Sequence, residues 1–115
     1  MKINAYVVDA IGAPFVREDL TLAAPGPGEV LVRVVATGVC HTDLNTQGGD
    51  MPLPLPGVLG HEGSGVVEAV GEGVDNVAPG DHVIMGWPYC GTCRNCIRGQ
   101  HRYCLNIGPE LLAGV

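Results

Sequence analysis

Four of the five cysteines in this 115-residue chain lie within residues 90–104. Two gaps of two residues and one gap of seven separate them, so neighbouring sulfurs can turn onto a single ion. Four thiolates form the usual ligand set of a closed, tetrahedral structural zinc site, which is saturated and not catalytic. The spacing therefore predicts a structural Zn²⁺ bound by Cys90, Cys93, Cys96 and Cys104 in a loop over residues 90–104.

Three other interpretations of the cysteine loop are an iron–sulfur cluster, disulfides and plain buried cysteines. The bacterial ferredoxin run ends with a three-residue gap and a Cys-Pro pair, whereas here the last gap is seven residues and Leu105 follows. A secreted disulfide framework usually has an even number of cysteines spread along the chain. Zinc thiolates in a reducing compartment fit the odd, crowded set better.

Short valine-rich runs separated by turns cover most of the remaining chain. Gly (18) and Pro (9) are abundant but scattered, which is typical of many short strands joined by turns. The runs predict strands over residues 3–9, 30–36, 65–71 and 81–85, one helical turn near residues 42–45, and an apolar extended loop over residues 51–57. We expect a single, mainly β, barrel-like domain over residues 1–115.

Charge and hydropathy argue against several classes of partner. The net charge is −6 with only six Lys and Arg, so no basic footprint for nucleic acid is expected. No apolar run reaches the length of about 18 residues that predicts a membrane span, and the N-terminus has no pattern of a signal peptide. We therefore expect no nucleic-acid or membrane partner and a cytoplasmic location.

A second group of candidate ligands lies outside the cysteine loop. Cys40 follows a predicted strand, and His61 lies between Gly60 and Glu62. Sulfur and imidazole nitrogen are suitable zinc ligands, but a catalytic zinc needs three protein ligands and one open position. On these residues alone, a buried cysteine and a hydrogen-bonded core histidine remain the simpler interpretation.

Three stretches together resemble the zinc-dependent medium-chain alcohol dehydrogenases. Residues 60–74, which begin Gly-His-Glu and include Gly65 and Gly71, resemble the zinc signature of that family. The run Cys40-His41-Thr42-Asp43 resembles its first catalytic ligand region, and the loop at 90–104 resembles its structural-zinc lobe. The residues of these motifs are most similar to those of aryl-alcohol (benzyl-alcohol) dehydrogenases, and glutathione-dependent formaldehyde dehydrogenases share many of them. The resemblance implies a GroES-like barrel domain.

The resemblance also implies roles for individual residues at a catalytic zinc. It makes Cys40 and His61 metal ligands and places Glu62 beside the metal, where it can approach an incomplete site. It makes Asp43 the carboxylate that orients the ligand histidine, a role that fixes the tautomer and raises basicity. Helix capping is the alternative for Asp43, and an exposed strand-edge carboxylate is the alternative for Glu62.

The proton relay and the substrate pocket are implied in the same way. Thr42 resembles the hydroxyl that contacts the alcohol and relays its proton, with a simple helix cap as its alternative. His41 resembles the residue that continues the relay or contacts the cofactor pyrophosphate. Trp87 resembles a substrate-pocket residue, with burial in the core as its alternative, and Met51 and Leu53 are weaker pocket candidates.

The implied reaction is oxidation of a primary, aryl alcohol to an aldehyde, with hydride transfer to NAD(P) in a homo-oligomeric enzyme. No Gly-x-Gly-x-x-Gly motif follows a strand, so the Rossmann domain is expected to be absent from this chain. The second catalytic cysteine of the family is also missing. We expect the isolated chain to be inactive and to hold one tight zinc. The alternatives are glutathione-dependent formaldehyde dehydrogenase and a non-enzymatic zinc-binding β module.

Overall fold

Two antiparallel sheets of three strands each form the framework of the domain. The computed structural model describes residues 1–108. Within them the strands are β1 (Lys2–Val8), β2 (Val16–Thr21), β3 (Val30–Thr37), β4 (Gly57–Val58), β5 (Gly63–Val70) and β6 (His82–Ile84). The first sheet has the order β2-β1-β4 and the second the order β3-β5-β6. Two short helices, α1 (His41–Gly48) and α2 (Arg94–Ile97), and a 3₁₀ turn (His101–Tyr103) complete the described elements.

The expected mainly β fold is confirmed, and four of its strands lie where the valine-rich runs predict them. Strand β2 was not predicted, because its sequence Val-Arg-Glu-Asp-Leu-Thr carries three charges. It lies at the edge of its sheet, where outward charged side chains remain solvated. Asn4 of β1 donates to Asp19 of β2 and accepts from Arg17, so these polar groups pair across the two strands.

Two glycines allow the second sheet to form closely packed backbone contacts. Strand β5 pairs with β3 from Val30↔Val70 to Thr37↔Gly63. A Cβ atom on Gly65 would overlap the carbonyl oxygen of Arg33, and one on Gly71 would overlap the carbonyl oxygen of a neighbouring turn. Both positions therefore need glycine for space, which gives a physical reason for the two glycines in the sequence signature.

The core is small, and each sheet contributes to it. Val8 of the first sheet and Val67 of the second are the largest side chains that are fully buried. Among the described residues, exposed apolar side chains lie on the outer strands of the second sheet, at Val34 and Val35 of β3 and Ile84 of β6. No helix in residues 1–108 is long and apolar enough to cross a membrane.

Helix α1 is tied to the loop that follows β1. The Gly12 N–H donates to the carbonyl oxygen of Gln47 at 2.7 Å, and the Gln47 amide donates to the carbonyl oxygen of Ala13 at 2.7 Å. The helix ends at Gly49, which adopts the left-handed conformation that favours glycine. These contacts fix α1 at the end of β3, where the second group of candidate ligands lies.

Candidate metal centres

The four cysteines of the loop come together as the spacing predicts. One sulfur from each lies within 4.8 Å of the others, with two cysteines buried and two half-buried. In a tetrahedral site with Zn–S bonds of about 2.3 Å, the sulfurs lie roughly 3.8 Å apart, so a zinc ion fits this arrangement. We call Cys90, Cys93, Cys96 and Cys104 the cysteine cluster.

The backbone of the loop turns sharply between successive ligands. Gly91 and Gly99 have φ angles of 70° and 75°, in the left-handed region that glycine adopts without strain. Helix α2, which was not predicted, begins directly after Cys93 and carries Cys96. The two-residue gaps are therefore spanned by one glycine turn and one short helix, and all four sulfurs come from a single loop.

Hydrogen bonds from the surrounding chain converge on two of the sulfurs. The Cys90 sulfur accepts from the Thr92 hydroxyl at 3.6 Å, the Cys93 N–H at 3.3 Å and the Asn106 amide at 3.4 Å. The Cys104 sulfur accepts from the N–H groups of Cys90 at 3.4 Å and Asn106 at 3.3 Å. Donors of this kind stabilise a thiolate and orient it for a cation.

These contacts separate the acidities of the thiols. The Thr92 hydroxyl bond, followed by backbone N–H donors, lowers the pKa of Cys90 to about 5. A hydrogen bond from the backbone at Leu105 is the largest cause of the lowered pKa of Cys93. Burial raises the pKa of Cys96 to about 12, since the interior disfavours its charged form. Cys96 therefore needs a bound cation to ionise near neutral pH.

The second candidate centre is assembled from the ends of two paired strands. Cys40 follows β3, and His61 and Glu62 precede β5. Because Thr37 pairs with Gly63, the sheet register brings these distant segments together. One ligand atom from each of the three residues lies within 4.8 Å of the others. We call Cys40, His61 and Glu62 the assembled cluster.

One buried carboxylate contacts both halves of the assembled cluster. Asp43 accepts the Cys40 backbone N–H at 2.9 Å, and its other oxygen lies 4.0 Å from Nδ1 of His61. Cys40 is the N-cap of α1 and Asp43 is the third residue of the helix. The interpretation of Thr42 as a helix cap is therefore wrong, because the N-cap lies two residues earlier. Asp43 does cap the helix, since its carboxylate accepts the N–H of the N-cap residue.

A cavity of about 130 Å³ opens beside His61. Its walls include Thr42, Met51, Leu53 and Trp87. The Thr42 hydroxyl oxygen is buried and has no hydrogen-bond partner among the described residues. A buried hydroxyl without a partner costs about 1–3 kcal/mol, so this oxygen is available to a ligand in the cavity.

The indole of Trp87 stacks on the imidazole of His61, with ring centroids 4.8 Å apart and 27° between planes. Trp87 is 47% exposed, so the alternative of a core tryptophan is wrong. His41, the first residue of α1, is exposed. His101 stacks on Tyr89 at 4.0 Å and lies outside both candidate ligand groups.

Sequence reasoning missed two residues that support the cysteine sulfurs and one contact of His61. Thr92 and Asn106 donate to the Cys90 sulfur, and Trp87, which was predicted only as a pocket or core residue, stacks on His61. Polar residues between clustered cysteines and just after them are a usable signal for hydrogen bonds donated to the sulfurs, because a short loop keeps such residues close to the cysteines. The stack of Trp87 on His61 depends on tertiary packing, and spacing gives no sign of it.

Comparison with known proteins agrees with this arrangement. The family model of the alcohol dehydrogenase GroES-like domain matches residues 26–115. The chain belongs to the zinc-dependent medium-chain alcohol dehydrogenase family. A Mycobacterium tuberculosis protein that carries an alcohol dehydrogenase name is 50% identical over 115 residues, which are 99% of this chain and 31% of that protein.

Two further relatives of this alcohol dehydrogenase domain are named after their substrates. The crystal structure of benzyl alcohol dehydrogenase from Acinetobacter calcoaceticus has a TM-score of 0.89 and 47% identity, over 93% of this chain and 30% of that one. S-(hydroxymethyl)glutathione dehydrogenase of Escherichia coli is 49% identical over 109 residues, 93% of this chain and 30% of that protein. The chain thus spans about a third of the length of the relatives it matches.

Proposed function

We propose that residues 1–115 form the zinc-binding part of an NAD(P)-dependent enzyme that oxidises a primary aryl alcohol to an aldehyde. The observation that carries the proposal is the assembled cluster, whose sulfur, nitrogen and carboxylate donors converge within 4.8 Å, with His61 in the wall of a mainly apolar cavity. A purely structural zinc module needs only the cysteine cluster, so a second ligand set with one member in a cavity wall favours an enzyme.

The two clusters divide the metal roles in this proposal. Four thiolates leave no open position, so the cysteine cluster holds a structural zinc. The assembled cluster offers at most three protein ligands, the number found in catalytic zinc sites. When bound there, zinc supplies a Lewis acid that lowers the pKa of an oxygen acid placed against it.

The side chains around the assembled cluster position the alcohol and its proton. The buried Thr42 hydroxyl, which has no partner among the described residues, accepts the proton of an alcohol in the cavity and donates its own. The Asp43 carboxylate lies 4.0 Å from Nδ1 of His61, where its negative charge favours a proton on that nitrogen. His41 is exposed next to Thr42 and either passes the proton towards solvent or contacts the cofactor pyrophosphate.

The chemistry of the cavity supports an aryl substrate. Trp87, Met51 and Leu53 present aromatic and apolar groups beside Thr42. An aromatic ring in this cavity can stack or meet Trp87 edge to face, which adds about 0.5–1.5 kcal/mol to the burial of its surface. The similarity to a benzyl alcohol dehydrogenase points the same way.

S-(hydroxymethyl)glutathione is the second candidate substrate, because a dehydrogenase for it is 49% identical to this chain. Its glutathione moiety is charged, whereas the named walls of the described cavity are mainly apolar. The chemistry of these walls therefore favours the aryl alcohol. The hydride acceptor NAD(P) and a homo-oligomeric assembly belong to the same proposal for the whole enzyme.

A substrate panel on the complete product of the reading frame tests this proposal. Benzyl alcohol, ethanol and S-(hydroxymethyl)glutathione are compared by kcat/KM with NAD and with NADP, and the 115-residue chain alone is expected to show no turnover. Preference for benzyl alcohol supports the proposal. Preference for S-(hydroxymethyl)glutathione selects the second candidate, and no alcohol oxidation by the complete protein overturns both.

Two matched threonine variants test the relay in the same protein. Thr42→Val removes the hydroxyl that faces the cavity, and we expect kcat to fall by about 10²–10⁴-fold, the usual contribution of a positioned proton-transfer group. Thr21 is exposed at the end of β2, outside the cavity, and its hydroxyl accepts from the Lys2 ammonium group at 3.0 Å. Thr21→Val should leave kcat nearly unchanged. Equal losses in both variants would contradict a relay through Thr42.

A further inference from the structure

Gly38 lies directly against the side chain of Glu62. A Cβ atom built on Gly38 would overlap Oε2 of Glu62 and would lie 3.2 Å from its Cβ and Cδ atoms. The Gly38 N–H donates to the Glu62 carbonyl oxygen at 3.1 Å, so the two backbones are held together at this point. The space beside Gly38 is therefore filled by Glu62, whose carboxylate belongs to the assembled cluster.

The backbone of Gly38 does not itself require glycine. Its φ angle lies outside the positive range that the other turn glycines adopt, and an L-residue can take up its conformation. No backbone atom is among the three nearest neighbours of the added Cβ, in contrast to Gly65 and Gly71. The side chain of Glu62 is therefore the feature that a larger residue at position 38 would disturb.

We propose that Gly38 is a positioning residue, whose missing side chain lets the Glu62 carboxylate reach the Cys40 and His61 donors. This inference rests on the proposed metal site at the assembled cluster. Within residues 1–108, no hydrogen bond or ion pair holds the Glu62 carboxylate, and the residue is exposed. The shape of the backbone at Gly38 then decides which side-chain conformations of Glu62 remain open.

A methyl group at position 38 would expel the carboxylate without breaking the sheet. The atom that overlaps is the far end of a flexible side chain, which can rotate into solvent, while the Glu62 Cβ at 3.2 Å must shift by only a few tenths of an ångström. The backbone hydrogen bond from residue 38 to Glu62 is unaffected by this rotation. Gly38→Ala should therefore leave the fold intact and reduce the assembled cluster from three protein donors to two.

Cobalt binding to the 115-residue chain tests the proposal. The cysteine cluster is first filled with one Zn²⁺, and Co²⁺ is then titrated while the absorption of the Cys40 thiolate–cobalt bond is recorded. We expect Gly38→Ala and Glu62→Ala each to weaken Co²⁺ binding by about ten- to hundredfold, the range seen when groups supporting a metal are lost. Gly48→Ala, at an open position of ordinary φ, is the matched control and should bind as the parent does.

The double variant separates positioning from general damage. If Gly38 acts through Glu62, Gly38→Ala adds no further loss in the Glu62→Ala background, because the group it would displace is already gone. An equal loss in both backgrounds, or no loss in either, overturns the proposal. Zn²⁺ at the cysteine cluster reports whether each variant folds. If Gly38→Ala alone loses this Zn²⁺ but the double variant retains it, the steric conflict between residue 38 and Glu62 is supported directly.

The parent chain supplies a separate test of the site itself. A cobalt spectrum that Cys40→Ser abolishes supports the proposed metal site. If the parent shows no Cys40-dependent spectrum, the metal site of the proposed function is overturned, and the role of Gly38 falls with it. A normal parent spectrum with an unaltered Gly38→Ala variant overturns the role of Gly38 alone.

Discussion

The two candidate metal centres of this domain are built in opposite ways. The cysteine cluster takes all its donors from residues 90–104, which turn around one point with a glycine and a short helix. The assembled cluster takes one donor from the end of β3 and two from the start of β5. The first depends on local backbone conformation, whereas the second depends on the pairing of two strands.

This difference predicts different sensitivities. One loop positions all four sulfurs of the cysteine cluster, so substitutions in the sheets should leave the structural zinc in place. The assembled cluster relies on the register of Thr37 with Gly63, on the carboxylate of Asp43 and on the stacked ring of Trp87. Substitutions of residues that are not themselves metal donors should therefore weaken it.

The largest expected effect is loss of the structural zinc. Cys96 is a buried member of the cysteine cluster, and Cys96→Ser should abolish tight zinc binding and lower the melting temperature of the zinc-loaded chain. Structural zinc contributes about 10–16 kcal/mol of apparent binding free energy in zinc-finger peptides, and that energy also stabilises the fold. Zinc content after chelator dialysis and thermal unfolding measure the effect.

Cys40→Ser is the control for that experiment. It removes a donor of the assembled cluster and should retain one tight zinc per chain and a nearly unchanged melting temperature. If the two variants lost zinc and stability equally, the division into a local structural centre and an assembled centre would be wrong.

Asp43→Asn should weaken the assembled cluster alone. The asparagine oxygen can still accept the Cys40 N–H, but the carboxylate charge 4.0 Å from His61 is lost. We expect Co²⁺ affinity to fall by about ten- to hundredfold, with zinc at the cysteine cluster retained. Asp50→Asn, at an exposed position just beyond α1, should change neither site. An unchanged Co²⁺ affinity for Asp43→Asn would show that the carboxylate only caps the helix.

A smaller effect is expected from the ring that stacks on His61. Trp87→Ala removes a contact with centroids 4.8 Å apart, and aromatic pairs contribute about 0.5–1.5 kcal/mol, or roughly two- to tenfold in Co²⁺ affinity. Trp87→Phe should recover most of the loss. Tyr89→Ala is the matched control, because Tyr89 stacks on His101 instead. Equal losses in the two alanine variants would argue against a specific role of the Trp87 ring.

What the sequence could predict follows the same division. The cysteine spacing predicts the grouping of the four sulfurs, since every contact needed is local. The valine-rich runs predict β1, β3, β5 and β6, whereas the charged edge strand β2 has no apolar pattern to mark it. The pairing of Cys40 with His61 came from a resemblance, because a register between distant strands is not encoded in their spacing.

Supporting contacts were the least predictable part of both centres. The need for glycine at position 38 depends on Glu62, which is distant in sequence and meets it only through sheet pairing. Trp87 was expected in the core or the pocket, and its stack on His61 arises from tertiary packing. The acidity of each cysteine was equally hidden, because it depends on donors that only the folded loop places around the sulfur.

The acidities of the thiols lead to the smallest predicted effect, a change in the number of protons released when zinc binds. At pH 7, ordinary thiols with a pKa near 9 would each give up a proton to bind zinc. Cys90, with its pKa lowered to about 5, is already a thiolate, whereas Cys96, with its pKa raised to about 12, must still lose its proton. A folded loop should therefore release fewer than four protons per zinc.

Calorimetry in two buffers of different ionisation enthalpy counts these protons. Thr92→Val removes the largest cause of the lowered Cys90 pKa, so it should increase proton release at pH 7, while Thr21→Val on β2 should not. Below about pH 5 Cys90 is itself protonated, and zinc must then displace that proton too, so affinity falls further. Release of four protons by the parent, unaltered by Thr92→Val, would mean that zinc itself organises the loop. The cysteine cluster would then depend on the ion for its shape, just as the assembled cluster depends on contacts between distant segments. The contrast between a preformed centre and an assembled one would disappear.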